Sequence, residues 1–159
     1  MPGSGKTTLA KQVAEELNLP FVDLDQEIES QEQKSITEIF NQQGEDYFRQ
    51  VESSLLKQWA SSSKSFVMAT GGGAPCFLKG IDVINENGIS VFLDVPIPEV
   101  IKRVAKKQGR PLLDNSDNDE LEKKLKMMRD KRLWFYQQAH ITLTEPSIGK
   151  FMKALQFKK

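Results

Sequence analysis

The stretch that decides the fold is Met1-Pro2-Gly3-Ser4-Gly5-Lys6-Thr7-Thr8, the first eight residues of the chain. In the phosphate-binding pattern G-x-x-x-x-G-K-[ST], Gly5, Lys6 and Thr7 fall on the last three positions, and only the leading glycine is absent. Glycines have no Cβ, so such a loop can curl until successive backbone N–H groups point at one anion. The alternative, a flexible glycine–serine tail, is disfavoured because the amphipathic LAKQVAEEL follows at once.

A helix that begins at about Lys6 would add its positive N-terminal end to the same anion. In loops of this kind the lysine reaches the β- and γ-phosphates and the hydroxyl after it binds Mg²⁺, which are the roles expected for Lys6 and Thr7. We therefore expect a nucleotide phosphate site made by Gly3, Ser4, Gly5, Lys6, Thr7 and Thr8.

Composition limits the class of protein. The 159 residues are enough for one domain with one core. Lys plus Arg and Asp plus Glu both number 22, so the formal charge is zero, which argues against a dominant nucleic-acid surface. Cys76 is the only cysteine, which excludes an internal disulfide and favours a reducing compartment such as the cytoplasm. We expect no membrane helix, since no apolar run nears roughly 18 residues, and no signal peptide.

Strand and helix patterns alternate along the chain. Strand-like apolar segments occur at 21–25, 65–70, 89–95 and 140–144, and helical spacing fills most of the sequence between and after them. Within the second helical region, Ser35-Ile36-Thr37-Glu38 resembles a capping box at a helix start. This alternation predicts an α/β fold of three layers, with a central parallel sheet flanked by helices. We count four strands and expect a fifth before Met1.

Two carboxylates end the first strand pattern, Phe21-Val22-Asp23-Leu24-Asp25. Ligands of open α/β sheets sit at the carboxyl ends of strands, so Asp23 and Asp25 are placed beside the phosphate site. The two side chains share one side if the strand continues as far as Asp25. A solvated acidic turn is the alternative for this segment.

Two further features are open to two interpretations each. Arg49 and Glu52 share a helix face, but on spacing alone a surface ion pair of little energetic value accounts for them. Gly71-Gly72-Gly73 follows a strand and lets a ligand approach the backbone, although a flexible loop would look the same. Arg110 lies in the polar stretch 109–119, a candidate lid over the phosphates. His140 is the only histidine and is interpreted as structural.

Taken in order, the motifs resemble the shikimate kinase family, P-loop enzymes of the nucleoside-monophosphate-kinase-like fold. The resemblance extends from residue 1 to about 144 and implies one kinase domain over 1–159, with substrate-binding helices at about 26–60. It also implies ATP, Mg²⁺ and shikimate as ligands, transfer of a phosphoryl group to the shikimate 3-hydroxyl, and a cytoplasmic monomer. The segments that support it are MPGSGKTT, FVDLD, SITEIFNQQGEDYFRQVE, ATGGGAP, GRPLL and RDKRLWFYQQA.

The resemblance also implies roles for single residues. Asp25 would bind the shikimate ring hydroxyls and orient or deprotonate the attacking one, while Arg49 and Arg132 would pair with the carboxylate. Asp23 would help to hold Mg²⁺ through water. The remaining roles are Glu52 orienting Arg49, Arg103 packing on adenine, Arg110 closing over the phosphates, and Gly71, Gly72 and Gly73 lining the site.

The chain departs from the family pattern at several points. The leading loop glycine is absent, Leu-Trp-Phe follows Arg132, and the stretch at 144–150 is short, which leaves the adenine contacts and the effect of Trp134 open. Two other functions compete: a related small-molecule kinase such as a gluconate kinase, and a non-catalytic protein of the same family. Arg49, Glu52 and Arg132 argue against a nucleotide acceptor, and the retention of Lys6 and Asp25 argues against an idle site.

The start of the chain gives a further expectation. In this fold a strand in mid-sheet precedes the phosphate loop, and the sequence fits a polypeptide that extends about ten residues further. Each backbone group left unpaired by loss of that strand would cost about 1–3 kcal/mol. A typical total stability is about 5–15 kcal/mol. We therefore expect a longer native polypeptide, or another segment in the gap.

Overall fold

A computed structural model describes residues 1–105 and 118–156 of the chain. Helices and strands alternate through these residues, as predicted, and a 3₁₀ turn, Ala74–Cys76, follows the second strand. The predicted lid lies almost entirely outside the described residues, and Arg110 with it. The elements are α1 (Lys6–Leu17), β1 (Phe21–Asp23), α2 (Leu24–Glu32), α3 (Ile36–Ala60), β2 (Val67–Ala69), α4 (Gly80–Asn87), β3 (Val91–Leu93), α5 (Ile97–Ala105), α6 (Asn118–Tyr136), β4 (Ile141–Leu143) and α7 (Ile148–Gln156).

The strands pair in parallel. Asp23 of β1 is aligned with Ala69 of β2, and Leu93 of β3 is aligned with Leu143 of β4. The parallel direction agrees with the prediction, because helices connect every pair of consecutive strands. Within the described residues the strands form two separate two-stranded sheets, β1 with β2 and β3 with β4.

Strand β1 is shorter than the sequence pattern suggested. It ends at Asp23, and α2 begins at Leu24. The side chain of Asp23 accepts a hydrogen bond from the backbone N–H of Asp25 at 3.1 Å, which satisfies an otherwise unpaired donor in the first helical turn. Asp25 therefore lies on a helix, so the condition for Asp23 and Asp25 to share one side of a strand, a strand that continues to Asp25, is not met.

Helix α3 combines a predicted start with a break. The Ser35 side chain accepts from the backbone N–H of Glu38, and the Glu38 carboxylate accepts from that of Ser35, which completes the expected capping box. Gly44 interrupts the helical backbone with φ 83° and ψ 173°, a conformation that favours glycine. The residues on either side of Gly44 thus form two helical pieces.

Two apolar clusters hold the elements together. The first joins α1, α5 and α6 to β3 and β4 around Val100 and Leu125, which are fully buried. The second joins α2 to α3 around Leu24, Ile28 and Ile39. The Ala74–Cys76 turn touches both, because Ala74 belongs to the second cluster and Cys76 packs against the first. None of the helices in residues 1–105 and 118–156 is long and apolar enough to span a membrane.

A hydrogen-bond network of Asn85, Ser90, Gln138 and His140 fixes the amino ends of β3 and β4. The Ser90 hydroxyl donates to Asn85 Oδ1 at 2.6 Å and accepts from the backbone N–H of His140 at 2.9 Å. The Ser90 backbone N–H donates to His140 Nδ1 at 3.2 Å, and Asn85 Nδ2 donates to the Gln138 carbonyl at 2.9 Å. These bonds support the structural interpretation of His140.

Replacement of Ser90 by alanine tests how much this hydrogen-bond network stabilises the fold. Ser90 is buried, so the change leaves Asn85 Oδ1 and the His140 N–H without their partner. We expect the free energy of unfolding in urea to fall by about 1–3 kcal/mol. Ser63→Ala is the control, because Ser63 is exposed and surface changes of this kind stay within about 0.5 kcal/mol. Equal unfolding free energies of the two variants would show that the hydrogen-bond network does not stabilise the fold.

Candidate functional site

The phosphate loop has the curled backbone that its glycines predict. Gly3 and Gly5 adopt φ values of 72° and 89°, and Gly5 caps the start of α1. The Ser4 hydroxyl and the Lys6 ammonium both donate to the Met1 carbonyl, at 2.9 and 2.7 Å. The first residues therefore close into a ring around the N-terminus of α1, which is the arrangement that binds phosphate in other proteins.

A cavity of about 450 Å³ opens above this loop. Arg103 reaches it from α5 and donates from Nη1 to the Ser4 carbonyl at 3.2 Å. All predicted nucleotide residues that the structure describes line this cavity: Gly3, Ser4, Gly5, Lys6, Thr7, Thr8 and Arg103. A wider cavity of about 620 Å³ lies near Phe21 at the end of α1, and no predicted site residue lines it.

Five residues without a predicted role also line the cavity above the loop: Leu9, Gln12, Val104, Pro146 and Ser147. Gln12 lies four residues after Thr8 on α1, so helical spacing places it on the same face as a predicted nucleotide residue and could have identified it. Pro146 and Ser147 belong to the stretch whose contacts the sequence left open. They precede α7 and bring the C-terminal part of the chain to the cavity.

Asp23 connects the phosphate loop to Asp25, one of the residues predicted to bind the molecule that accepts the phosphoryl group (the acceptor residues). Its Oδ2 accepts from the Thr7 hydroxyl at 3.2 Å, and its Oδ1 accepts from the Asp25 N–H at 3.1 Å. Thr7 and Asp23 thus present a hydroxyl and a carboxylate side by side, the oxygen ligands that suit Mg²⁺. Across 1–105 and 118–156 no group of three or more His, Cys, Asp and Glu side chains could hold a metal. A cation here would need phosphate and water oxygens as well.

Gly71, Gly72 and Gly73, the glycine triplet, lie in contact with the side chains of the other predicted acceptor residues. A Cβ atom at Gly71 would lie 2.9 Å from Asp25 Oδ1 and 3.0 Å from Glu52 Oε1. A Cβ at Gly72 would lie 3.4 Å from Arg132 Nη1. These close approaches place side chains from α2, α3 and α6 against one short backbone segment after β2.

Gly73 makes the tightest of these contacts. A Cβ there would lie 2.2 Å from Arg49 Nη1 and 2.6 Å from its Cζ, so the guanidinium occupies the space of a methyl group. The structure therefore brings together every predicted acceptor residue: Asp25, Arg49, Glu52, Gly71, Gly72, Gly73 and Arg132.

Arg49 and Glu52 form a buried ion pair. Arg49 Nη1 donates to Glu52 Oε2 at 2.7 Å, and their side chains are 11% and 3% exposed. The Arg49 guanidinium also lies 4.2 Å from the ring centre of Phe77 and 5.0 Å from that of Phe48. The surface interpretation of this pair, which spacing alone allowed, is wrong because the rings and Gly73 enclose it.

Glu45 and Phe77 were not predicted as site residues. Glu45 Oε1 accepts from both Nε and Nη2 of Arg49, at 3.2 and 3.0 Å. Glu45 lies four residues before Arg49 on α3, a spacing that pairs opposite charges on helices, so the sequence held a signal for it. Phe77 follows the 3₁₀ turn, and no periodicity marked it.

Tyr136 supports the triplet from α6. Its hydroxyl donates to the Gly72 carbonyl at 2.7 Å, and its ring stacks on Phe92 at 5.0 Å. Burial raises the pKa of Tyr136 above its ordinary value, although the positive charge of Arg132 acts against this. Tyr136 is therefore a neutral hydrogen-bond donor that holds Gly72 in place.

The charged form of Glu52 is destabilised in this cluster. Burial raises the pKa of Glu52 above its ordinary value, and nearby Asp25 adds to the rise, while Arg49 opposes it. Glu52 Oε1 is buried and has no hydrogen-bond partner among the described residues. An unpartnered buried carboxylate oxygen destabilises the charged form, so the site holds this charge at a cost in stability.

The raised pKa predicts a pH dependence of stability. The folded protein binds a proton at Glu52 more tightly than the unfolded chain does, so acidification through the raised pKa, towards the ordinary value, stabilises the fold at this residue. We expect the unfolding free energy of the wild type to rise relative to Glu52→Gln as the pH falls from neutral to about 4.5. Urea titrations at several pH values measure this difference.

The exposed residue Glu86 supplies the control, and Glu86→Gln should follow the pH dependence of the wild type. A difference between wild type and Glu52→Gln that stays constant with pH would contradict the prediction.

Comparisons with known proteins agree with this geometry. The sequence profile of the shikimate kinase family matches residues 2–156. A shikimate kinase of Bacteroides fragilis (strain YCH46) is 43% identical over 141 residues, which cover 87% of this chain and 77% of the relative. A shikimate kinase of Clostridium botulinum (strain Loch Maree / Type A3) is 42% identical over 157 residues, covering 98% and 89%.

Two solved structures have the same architecture. The crystal structure of shikimate kinase from Bacteroides thetaiotaomicron has a TM-score of 0.86 and 33% identity, and the match covers 98% of this chain and 90% of that one. Shikimate kinase from Acinetobacter baumannii in complex with shikimate has a TM-score of 0.87 and 33% identity, with coverages of 99% and 88%. Because the family profile spans nearly the whole chain, this protein belongs to the shikimate kinase family.

Proposed function

We propose that the chain transfers the γ-phosphoryl group of ATP to the 3-hydroxyl of shikimate. The observation that supports this most directly is the glycine triplet at 71–73, which places Asp25, Arg49 and Arg132 around one point next to the phosphate loop. A small acid with several hydroxyl groups needs a cation for its carboxylate and a carboxylate for its hydroxyls. Both are present here, within reach of a nucleotide phosphate site.

On the acceptor side, the two arginines hold the substrate. The planar guanidinium groups of Arg49 and Arg132 suit a carboxylate because they donate parallel hydrogen bonds. Asp25 accepts from the ring hydroxyls and is the group placed to orient or deprotonate the attacking one. Glu52 fixes the guanidinium of Arg49 through the 2.7 Å bond. Binding in one orientation supplies much of the rate in a reaction of this type.

On the nucleotide side, the loop amides and Lys6 hold the ATP phosphates. Thr7 and Asp23 are the residues that would hold Mg²⁺, Asp23 through water. When bound, Mg²⁺ neutralises phosphate charge as it builds up during transfer. Arg103 lines the wall of the nucleotide cavity and contributes a second positive charge.

In the chemical step, the proton of the 3-hydroxyl passes to Asp25. The substrate oxygen forms a bond to the γ-phosphorus, and the bond from that phosphorus to the β–γ bridging oxygen breaks. The products are ADP and shikimate 3-phosphate. Arg110, which lies outside the described residues, would close over the phosphates with the segment around it and exclude water.

We also propose that residues 1–159 act as one kinase domain in a cytoplasmic monomer. The predicted nucleotide and acceptor residues among the described residues lie together within a single copy of the chain, which supports a monomer. A single cysteine, which cannot form an internal disulfide, and the use of ATP both favour the cytoplasm.

A coupled assay of ADP release tests the function. We expect ADP formation that requires shikimate, ATP and Mg²⁺, with a product whose mass and NMR spectrum identify phosphate on the 3-hydroxyl. Lys6→Ala should lower kcat by about 100-fold or more, because it removes charge stabilisation from the transferred group. Shikimate-independent ADP release, or none in the presence of a folded protein, would contradict the proposal.

The close contact of Gly73 makes a sharper test of the acceptor site. In Gly73→Ala the new methyl group displaces the guanidinium of Arg49, so we expect KM for shikimate to rise by about tenfold, the effect of about 1.4 kcal/mol, while KM for ATP changes little. Gly149→Ala is the matched control, because a Cβ at Gly149 meets nothing within 4 Å. Unchanged shikimate kinetics in Gly73→Ala would exclude this contact from substrate binding.

A further inference from the structure

One edge of the Arg49 guanidinium already binds a carboxylate. Glu45 Oε1 accepts from Nη2 at 3.0 Å and from Nε at 3.2 Å, so a single oxygen spans the two parallel donors of this edge. Such paired donors are the part of an arginine that recognises a carboxylate with defined geometry. A substrate carboxylate approaching this edge therefore meets a position that Glu45 occupies.

The rest of the guanidinium is held in place. Nη1 donates to Glu52 Oε2 at 2.7 Å. A Cβ at Gly73 would lie 2.2 Å from Nη1, 2.6 Å from Cζ and 2.7 Å from Nη2, so Gly73 packs against the guanidinium, and the centre of the Phe77 ring lies 4.2 Å from Cζ. Arg49 cannot turn a different edge towards a ligand without breaking the buried pair with Glu52 and clashing with the triplet.

Of the two carboxylates on Arg49, Glu45 is the one able to leave. Its side chain is 53% exposed, whereas the Glu52 side chain is 3% exposed. Glu45 also follows directly on Gly44, where the backbone is not helical, and so begins the second piece of α3. When released, the exposed Glu45 carboxylate is hydrated by water, so it keeps a favourable environment without Arg49.

We propose that Glu45 is a built-in competitor for the substrate carboxylate. In the free protein, Glu45 neutralises Arg49 and holds the Nε/Nη2 edge of Arg49 in position. When the substrate binds, Glu45 moves away and the substrate carboxylate takes its place on that edge. This inference rests on the proposed function, since it concerns the same arginine and the same acid. Glu45 is a specificity-determining residue in this scheme and takes no part in the chemical step.

The arrangement selects for acids. A neutral polyol has no group that can replace the charge-assisted bonds between Glu45 and Arg49, so its entry would leave the Glu45 contact intact and the edge closed. An acid replaces one carboxylate by another and loses no ion pair. Discrimination against neutral analogues thus comes with some loss of affinity for the correct substrate.

The test compares Glu45→Gln with the wild type in the same ADP-release assay. The neutral amide holds Arg49 more weakly, so we expect KM for shikimate to fall by about two- to fivefold, the range of exposed ion-pair energies. The values of kcat and of KM for ATP should stay as in the wild type. The methyl ester of shikimate, which lacks the charge, should bind wild type and Glu45→Gln with equal affinity in calorimetry.

Asp46→Asn is the matched control. It removes the same charge from the next residue of α3, and Asp46 is exposed with no hydrogen bond or ion pair to any described residue. Its KM for shikimate should equal that of the wild type. A similar fall in KM in Asp46→Asn would assign the effect to general charge and overturn the competitor role of Glu45.

The outcomes separate the two proposals. If the wild type neither binds shikimate in calorimetry nor turns it over, the proposed function fails. If the wild type does both and Glu45→Gln shows an unchanged or higher KM, the function stands and the competitor role of Glu45 is wrong. A gain in affinity for the methyl ester equal to that for the acid would also overturn it.

Discussion

The carboxylate of Asp23 is the interaction on which the arrangement of the site depends. One of its oxygens binds the Thr7 hydroxyl at the start of α1, and the other binds the backbone of Asp25 at the start of α2. Two helix N-termini are thereby tied to the end of one strand. Because Thr7 lines the cavity above the phosphate loop and Asp25 lies against Gly71, this single side chain sets the distance between the proposed nucleotide and acceptor sides of the site.

A second constraint is the burial of charge around the triplet. Buried ion pairs contribute little net stability, since removal of two charges from water offsets their attraction. The Arg49–Glu52 pair, with an unpartnered oxygen on Glu52, is therefore better understood as a means of orientation. The fold maintains it with apolar contacts elsewhere, above all the fully buried Leu24, Ile28 and Ile39 in the cluster that joins α2 to α3.

Local patterns predicted most of the fold and most of the site. The phosphate loop, the Ser35 capping box and the alternation of strands and helices all depend on residues close in sequence, and all are present. The end of β1 was misplaced because a capping hydrogen bond outweighed the alternation of FVDLD. The contact of Tyr136 with Gly72 joins residues 64 apart, and no local pattern encodes it. Glu45 was missed although its spacing from Arg49 indicated it.

The packing of the triplet also bears on how this gene can vary. Glycine is the only amino acid without a Cβ, so every missense mutation in the codons for residues 71–73 adds an atom where the backbone now meets a carboxylate or a guanidinium. At 71 and 73 that atom would lie within 3.0 Å of such a group. Selection on codons 71 and 73 is therefore expected to favour synonymous change, whereas codon 72, where a Cβ would meet its neighbours at 3.4 Å or more, is less constrained by this packing.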